Sequence, residues 1–421
     1  MHIRTWQAPL LPASASFAVV AASVPSATWW STATLSLACG VGALALMATA
    51  AILAARWPLV ERGFGGLDRV YLAHKWIGIW ALVLASVHLL FKAGMPAWEA
   101  AAMFALPSGV TRFVRQLSFV ALMFIVVLAL NRNIPYGHWR WWHKTSGLLF
   151  LIVVAHAFSI KSPITLASPA GMWVAALSAL GAGAALYKLL LYPLFARHAE
   201  YRVLEVSASD NALHMSLVPV RDPIAFTEGQ FGFLRMNEHG LREPHPFTIA
   251  SGREAGGRVE FVIRALGDYT NRLVRSARPG MTADIYAPHG RFQRRTGALR
   301  EIWIGGGVGI SPFIAWLKDP SATGFERVTL FYFYTPGREF PAVDVLQQMA
   351  HERGAEFVAI ADGPLDPRFT HRFAQLARDA GPDGVDIAVC GPSGLLDAVR
   401  RQMREFRIPG SRLQHEYFSF R

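Results

Sequence analysis

The stretch HKWIGIWALVLASVH, residues 74–88, begins and ends with histidine and is otherwise almost wholly apolar. A helix rising 1.5 Å per residue would set the two rings about 21 Å apart. That is most of the ~30 Å of hydrocarbon in a bilayer. Fourteen residues at 100° each return to within roughly 40° of the starting direction, so both rings share one face. Ionisable groups inside a membrane span are costly and mark function. The surrounding sequence must therefore say whether this is a span, and what would face the rings.

Working outward, further apolar stretches long enough to cross a bilayer lie near residues 29–55, 113–131, 143–160 and 171–195. An apolar N-terminal segment interrupted by Pro9 and Pro12 reads as a sixth span, or as a signal-like segment. Arg56, Arg62, Arg69 and Lys75 gather on one side of the spans with Arg132, Arg140, Lys144, Lys188 and Arg197. The opposite side holds fewer, so the first side is expected to be cytoplasmic, in an inner membrane. The chain of 421 residues is 52% hydrophobic with a formal charge of +12. Its arginines are dispersed and flank apolar spans, with no basic stripe, so nucleic acid is not an expected partner. Cys39 and Cys390 fall in an apolar helix and a strand-like segment, and no disulfide framework is available.

A second histidine pair, His143 and His156, lies in the stretch two spans on. Spans separated by one run parallel, so His74 and His143 share the cytoplasmic level, and His88 and His156 a deeper one. Two helices offering an imidazole at each of two heights suit the axial ligation of two b-type haems. A transition-metal path is the rival, because imidazole also suits Zn and Cu. Thirteen residues separate His143 from His156, which ends roughly 140° off on an ideal helix. Either that helix is overwound, or its rings approach from different directions. His138, beside Trp139, Trp141 and Trp142, reads as interfacial.

From about residue 200 the pattern changes to short β-type runs such as YRVLEVS, QFGFLRM and RVEFVIRAL, parted by turn residues. These predict an antiparallel barrel over 198–298. From about 299 strands alternate with helices, predicting an α/β domain with a parallel sheet over 299–421. The whole is expected to be a multidomain membrane protein, with an all-α bundle over 1–197. In IWIGGGVGISPF a strand meets a glycine turn and a helix, with Ser311 as N-cap and Pro312 in the first turn. Such a turn lets a pyrophosphate approach the backbone at a helix N-terminus. VCGPSG repeats the logic and puts Cys390 at the carboxyl end of a strand, where open α/β sheets bind ligands. On composition alone, Cys390 reads as a small core residue.

HPFTIAS (245–251), GDYTNRL (267–273), APHGRF (287–292), GGGVGISPF, CGPSG and HEYFSFR follow in an order that resembles the ferredoxin–NADP reductase superfamily. With the four histidines, the chain from about residue 30 onward resembles a ferric reductase-type NADPH oxidase of the short bacterial kind. The resemblance implies that His245, Pro246, Phe247 and Thr248 hold FAD. Arg264 and the Gly267–Thr270 turn, Tyr269 included, would contact its phosphates. Gly305, Gly307 and Gly309 would cradle the nicotinamide dinucleotide, and Cys390 and Glu416 would sit by the hydride-transfer site. Phe418 would cover the flavin. Arg338, in YFYTPGR, lies near where a 2′-phosphate would bind, which favours NADPH over NADH. The expected activity passes electrons from NAD(P)H through FAD and two haems to an outer acceptor: oxygen, a ferric chelate or quinone. No obligate protein partner is evident. An electron-relay subunit serving a periplasmic partner, and a histidine-based metal transporter, are the competing readings.

Overall fold

The computed structural model describes residues 3–131, 133–134, 136–254 and 256–416. Phe418 lies outside the described residues. The chain divides into two compact units, with the break between Phe195 and Ala196.

The first unit is helical: α1 (Gln7–Ala21), α2 (Thr32–Ala54), α3 (Pro58–Phe64), α4 (Leu67–Leu90), α5 (Ser108–Leu130), α6 (Tyr136–Lys144), α7 (Ser146–Ser159), α8 (Pro169–Leu186) and α9 (Tyr192–Phe195). Among the described residues, four helices are long and apolar enough to cross a membrane: α2, α4, α5, and α8 with its continuation to Leu191. Each opens where the sequence allows. Ser31 caps α2 by accepting from the Thr34 N–H, and Ser168 caps α8 from the Gly171 N–H, with Pro169 in the first turn. Alanine and glycine recur along α2, and 67% of its apolar window is buried against 22% for α4. Small residues let helices approach closely when lipid offers no hydrophobic drive. At Gly181 an added Cβ would come within 2.9 Å of the Ala48 backbone, so α2 and α8 nearly touch.

The apolar stretch at 143–160 is not one helix. Its start belongs to α6, and Thr145 separates α6 from α7. The Thr145 N–H donates to the Trp142 carbonyl at 3.0 Å, a three-residue turn tighter than an α-turn. Tightening adds about 20° of rotation for each residue in a three-per-turn segment, a part of the roughly 140° that the thirteen-residue spacing leaves. His143 is therefore on α6 and His156 on α7.

The second unit begins with β1 (His198–Ala208), β2 (Ala212–Pro219), β3 (Phe231–Met236), β4 (His245–Thr248), β5 (Val259–Arg264), α10 (Asp268–Ser276) and β6 (Thr282–His289). The strands form an antiparallel sheet in the order β4-β3-β6-β1-β2-β5. Beyond β4, Ile249 bridges Phe261 of β5, which nearly closes the sheet into a barrel. Its interior is filled by Tyr201, Leu213, Met215, Leu234, Phe261, Ile285 and their neighbours.

There follow β7 (Arg300–Gly306), α11 (Ser311–Lys318), β8 (Val328–Phe333), α12 (Val343–Glu352), β9 (Glu356–Ile360), α13 (Pro367–Ala380), β10 (Val385–Cys390), α14 (Ser393–Glu405) and β11 (Leu413–His415). The strands run parallel in the order β11-β10-β7-β8-β9. The chain builds outward from β7 to β9, then returns to lay β10 and β11 on the other side. The order reverses between β7 and β10, where open α/β sheets bind ligands. Ser311 does not cap α11. A tight turn over Gly307–Ile310 intervenes, and the Ser311 hydroxyl donates to the Val308 carbonyl at 2.7 Å instead of accepting an N–H.

Candidate functional site

In the helical unit, the rings of His74 and His143 lie with centroids 5.9 Å apart and planes at 79°. Those of His88 and His156 are 6.4 Å apart with planes at 69°. Metal–imidazole bonds are about 2 Å, which puts two rings on opposite sides of one metal about 6 Å apart between centroids. Both pairs match that spacing. The Nδ1 of His74 lies 3.0 Å from the Ala50 carbonyl, and that of His88 lies 2.8 Å from the Ser36 carbonyl. A carbonyl can only accept, so each Nδ1 carries the proton and each Nε2 keeps its lone pair for a metal. Donor set and spacing thus fit a bis-imidazole haem at each level. Trp139 stacks on His143 at 5.2 Å. Ser36 and Ala50, both on α2, carry no signature in the sequence. The clue available is that they stand fourteen residues apart, the same step as His74 to His88.

In the second unit the candidate flavin residues gather at one edge of the barrel. His245 opens β4 and stacks on Tyr269 of α10, centroids 3.8 Å apart, while its Nε2 lies 3.4 Å from Glu243. The Tyr269 hydroxyl donates to the Leu241 carbonyl, and burial lifts its pKa well above the ordinary range. Pro246, Phe247 and Thr248 continue β4 beside Phe233, Gly232 and Phe231 of β3. At the start of α10 the Thr270 Oγ1 accepts from the N–H groups of Leu266 and Gly267, which fixes the turn. Arg264, at the end of β5, reaches toward the glycine turn: its Nη1 lies 3.6 Å from where a Cβ on Gly307 would stand.

The two turns that flank the reversal point pack together. Gly307 holds φ +55°, where a side chain is strained. A Cβ on Gly309 would collide with the Cys390 carbonyl, so glycine is needed for the two turns to meet. Cys390 pairs with Gly305 across β10 and β7 and is completely buried. Burial, and then the neighbouring Glu416 carboxylate, push its thiol pKa well up. The sulfur is therefore a neutral thiol at physiological pH rather than a nucleophile. Glu416, just after β11, is itself buried, with Oε1 3.3 Å from where a Cβ on Gly290 would stand, beside Phe231. Arg338 is exposed in the turn that follows β8.

Residues 39–161 match the family described as ferric reductase like transmembrane component, a range that contains all four histidines. Residues 197–291 match an FAD-binding domain family, which takes in β1 through β6. The ferredoxin–NAD(+) reductase component of the alkene monooxygenase system of Xanthobacter autotrophicus is 29% identical over 240 residues, 54% of this chain and 72% of that one. The reductase component of propane 2-monooxygenase from Rhodococcus jostii is 26% identical over 210 residues, 46% of this chain, which spans 56% of that relative's length. Among solved structures, flavohemoglobin from Malassezia yamatoensis, with bound FAD and heme, shares the fold at a TM-score of 0.51 and 16% identity, over 96% of this chain and 99% of that one. The chain therefore joins a ferric reductase-like transmembrane component to an FAD-binding domain and a ferredoxin reductase-like nucleotide-binding domain, and is a membrane-linked flavoprotein oxidoreductase.

Proposed function

We propose that the chain passes electrons from NAD(P)H on the cytoplasmic side of an inner membrane, through FAD and two b-type haems, to an acceptor on the outer side, oxygen or a ferric chelate. The observation that carries this reading is the two imidazole pairs, at 5.9 and 6.4 Å, at the two ends of one apolar helix. Among the described residues no group of three or more His, Cys, Asp or Glu comes together. Two protein ligands per site suit a metal held in a prosthetic group better than a bare ion, so a bare-ion path has less support.

When bound, FAD would supply the conversion of an electron pair to single electrons and haem the one-electron relay, chemistry that belongs to the cofactors. The chain's own residues bind and orient. His74 and His143 would hold one haem, His88 and His156 the other. His245 to Thr248, Arg264 and the Gly267–Thr270 turn would hold FAD, with Arg264 placed to meet phosphate charge. Gly305, Gly307 and Gly309 would leave the backbone open to the coenzyme pyrophosphate. Cys390 and Glu416 would stand beside the nicotinamide, the thiol as a neutral wall and the carboxylate as the nearest charge.

One observation favours a second reading, in which the outer haem feeds a dedicated protein or quinone. Two relatives are named as reductase components, one of an alkene monooxygenase system and one of propane 2-monooxygenase. An anaerobic visible spectrum of detergent-purified protein with FAD, before and after NADPH, separates the possibilities. A b-type band that grows with NADPH and decays in air supports the oxygen-linked path. A band that persists in air until a partner or quinone is supplied favours the relay. No haem band even with dithionite overturns both.

A further inference from the structure

We infer that Ser36 and Gly40, one helical turn apart on α2, form the seat that orients His88 toward its metal, with the Ala50 carbonyl serving His74 in the same way. The inference rests on the haem reading above and adds the positioning residues of that site. Four observations carry it.

The first is the register. Ser36 and Ala50 are fourteen residues apart, as are His88 and His74, and the serine carbonyl meets the later histidine. Antiparallel helices with matched steps give each imidazole of α4 the same partner, a main-chain carbonyl of α2. An Nδ1–H to carbonyl bond fixes both tautomer and ring direction and makes the opposite nitrogen the better ligand.

The second is Ser36 itself. Its side chain is fully buried, and its hydroxyl reaches the Phe91 carbonyl at 2.7 Å, the His88 carbonyl at 3.1 Å and the His88 Nδ1 at 3.3 Å. Carbonyls at the end of a helix within the bilayer are costly unless paired. The one Ser36 proton goes chiefly to the nearer Phe91 carbonyl and is shared with that of His88, so the end of α4 and the ring meet the same hydroxyl.

The third is the space. An added Cβ at Gly40 would stand 2.7 Å from the His88 Nδ1 and 2.9 Å from its Cε1. Real side chains do not tolerate such distances, so glycine is what lets the ring lie against α2. The fourth is a contrast within each pair. Among the described residues the Nδ1 atoms of His143 and His156 have no hydrogen-bond partner. The α4 ring in each pair is therefore held by α2, and the ring across from it is not.

The test compares wild type, Gly40→Ala, Ser36→Ala and, as a control, Gly183→Ala, an exposed helical glycine with nothing within 4 Å of an added Cβ. Each purified full-length protein is assayed for haem per polypeptide, the midpoint potential of each haem, low-spin resonance spectra and bound FAD. In the expected result, Gly40→Ala loses one haem of two or shifts its midpoint. Ser36→Ala shifts the midpoint and resonance spectrum of that same haem. FAD content and the other haem stay put in both variants, and Gly183→Ala matches wild type. If Gly40→Ala strips both haems, Ser36→Ala decides alone, because it removes atoms and adds none. Midpoints and spectra unchanged in both variants, or two haems moving equally in Ser36→Ala, overturn the seat while leaving the haem reading intact. Wild type without haem overturns the haem reading itself, and the seat with it.

Discussion

The helical unit carries its candidate chemistry in four side chains, whereas the nucleotide-binding part of the second unit carries it mostly in main chain. The contrast follows from the two solvents. In lipid an imidazole is expensive, so its presence must be justified by a ligand, and on α4 the second nitrogen of each ring is paired as well. At a strand–helix turn in water the anion-binding groups are N–H groups every residue owns, and what matters is which residues lack a side chain. A histidine can thus be found by eye in HKWIGIWALVLASVH, while GGGVG takes its meaning from the strand before it and the helix after it.

The largest effect should come from breaking the side-chain half of that contrast. His156→Ala removes a ligand outright. It should abolish one haem and lower electron delivery to an outer acceptor by more than the roughly 10- to 100-fold that loss of an outer-shell partner costs. Reduction of FAD by NADPH, followed anaerobically, should keep its wild-type rate. Slowing of both steps together would mean that the two units do not divide the work this way.

Next comes the main-chain half. Gly309→Ala puts a Cβ against the Cys390 carbonyl, within 2.7 Å of its carbon and 3.1 Å of the Gly391 nitrogen. Backbone cannot yield as a side-chain tip does, so the turns must separate, at a cost of about 1–3 kcal/mol. NADPH-driven dye reduction should fall at least tenfold, while haem content and its reduction by dithionite stay unchanged. A variant with normal dye reductase activity would show that the meeting of the two turns is not what serves the coenzyme.

The same contrast accounts for what could be read in advance. Both histidine pairings were legible, because four rings so costly in lipid recur at similar intervals along apolar helices. The barrel strands at 201–207 and 230–236 and the strands leading to the glycine turns were legible from composition and spacing. The roles of Ser36 and Ala50 were not, because a carbonyl offered by α2 looks the same whatever residue bears it. The break at Thr145 was hidden because a tightened turn needs no proline. Strand β6 was absorbed into the motif APHGRF, and β11, three residues long, is below what alternation can signal. Ser311 misled because a short turn intervenes and its hydroxyl finds a carbonyl first.

One side-chain cluster in the second unit sharpens the comparison at moderate cost. Glu260 of β5 is buried between His214 of β2, at 2.9 Å, and Lys318 of α11, at 2.5 Å. Burial alone would raise its pKa. The hydrogen bonds and charges of His214 and Lys318 outweigh that and lower it from 4.5 to about 2. A carboxylate depressed in the folded state adds stability that is present above its unfolded value and lost as pH falls through the folded one. That window is roughly pH 4.5 down to 2, set by the same shift. Lys318→Met should leave the carboxylate half-paired, destabilising the unit at pH 7 by about 1–3 kcal/mol. The loss should shrink toward pH 2 in acid-unfolding curves. A penalty that is equal at both pH values would mean packing of the lysine stem, and not its charge, holds the two segments.

The smallest effect is expected at Arg338, where the contrast should be nearly silent. The residue is exposed, its N–H closes a turn onto the Thr335 carbonyl at 2.9 Å, and Gly337 before it holds φ +73°. Nothing in the core depends on its guanidinium, so Arg338→Ala should fold and melt as wild type does. The turn follows β8, next to the strand that carries the glycine turn, where sheets of this kind read the coenzyme ribose. A hydrogen bond to a charged phosphate is worth about 1.5–3 kcal/mol, and solvent exposure puts this one at the low end, about tenfold. The kcat/KM for NADPH should drop by that factor while that for NADH is unmoved, since NADH has no group for the guanidinium to meet. An equal fall for both coenzymes would make Arg338 a general anchor for the dinucleotide, and no fall for either would move coenzyme choice to another part of the turn.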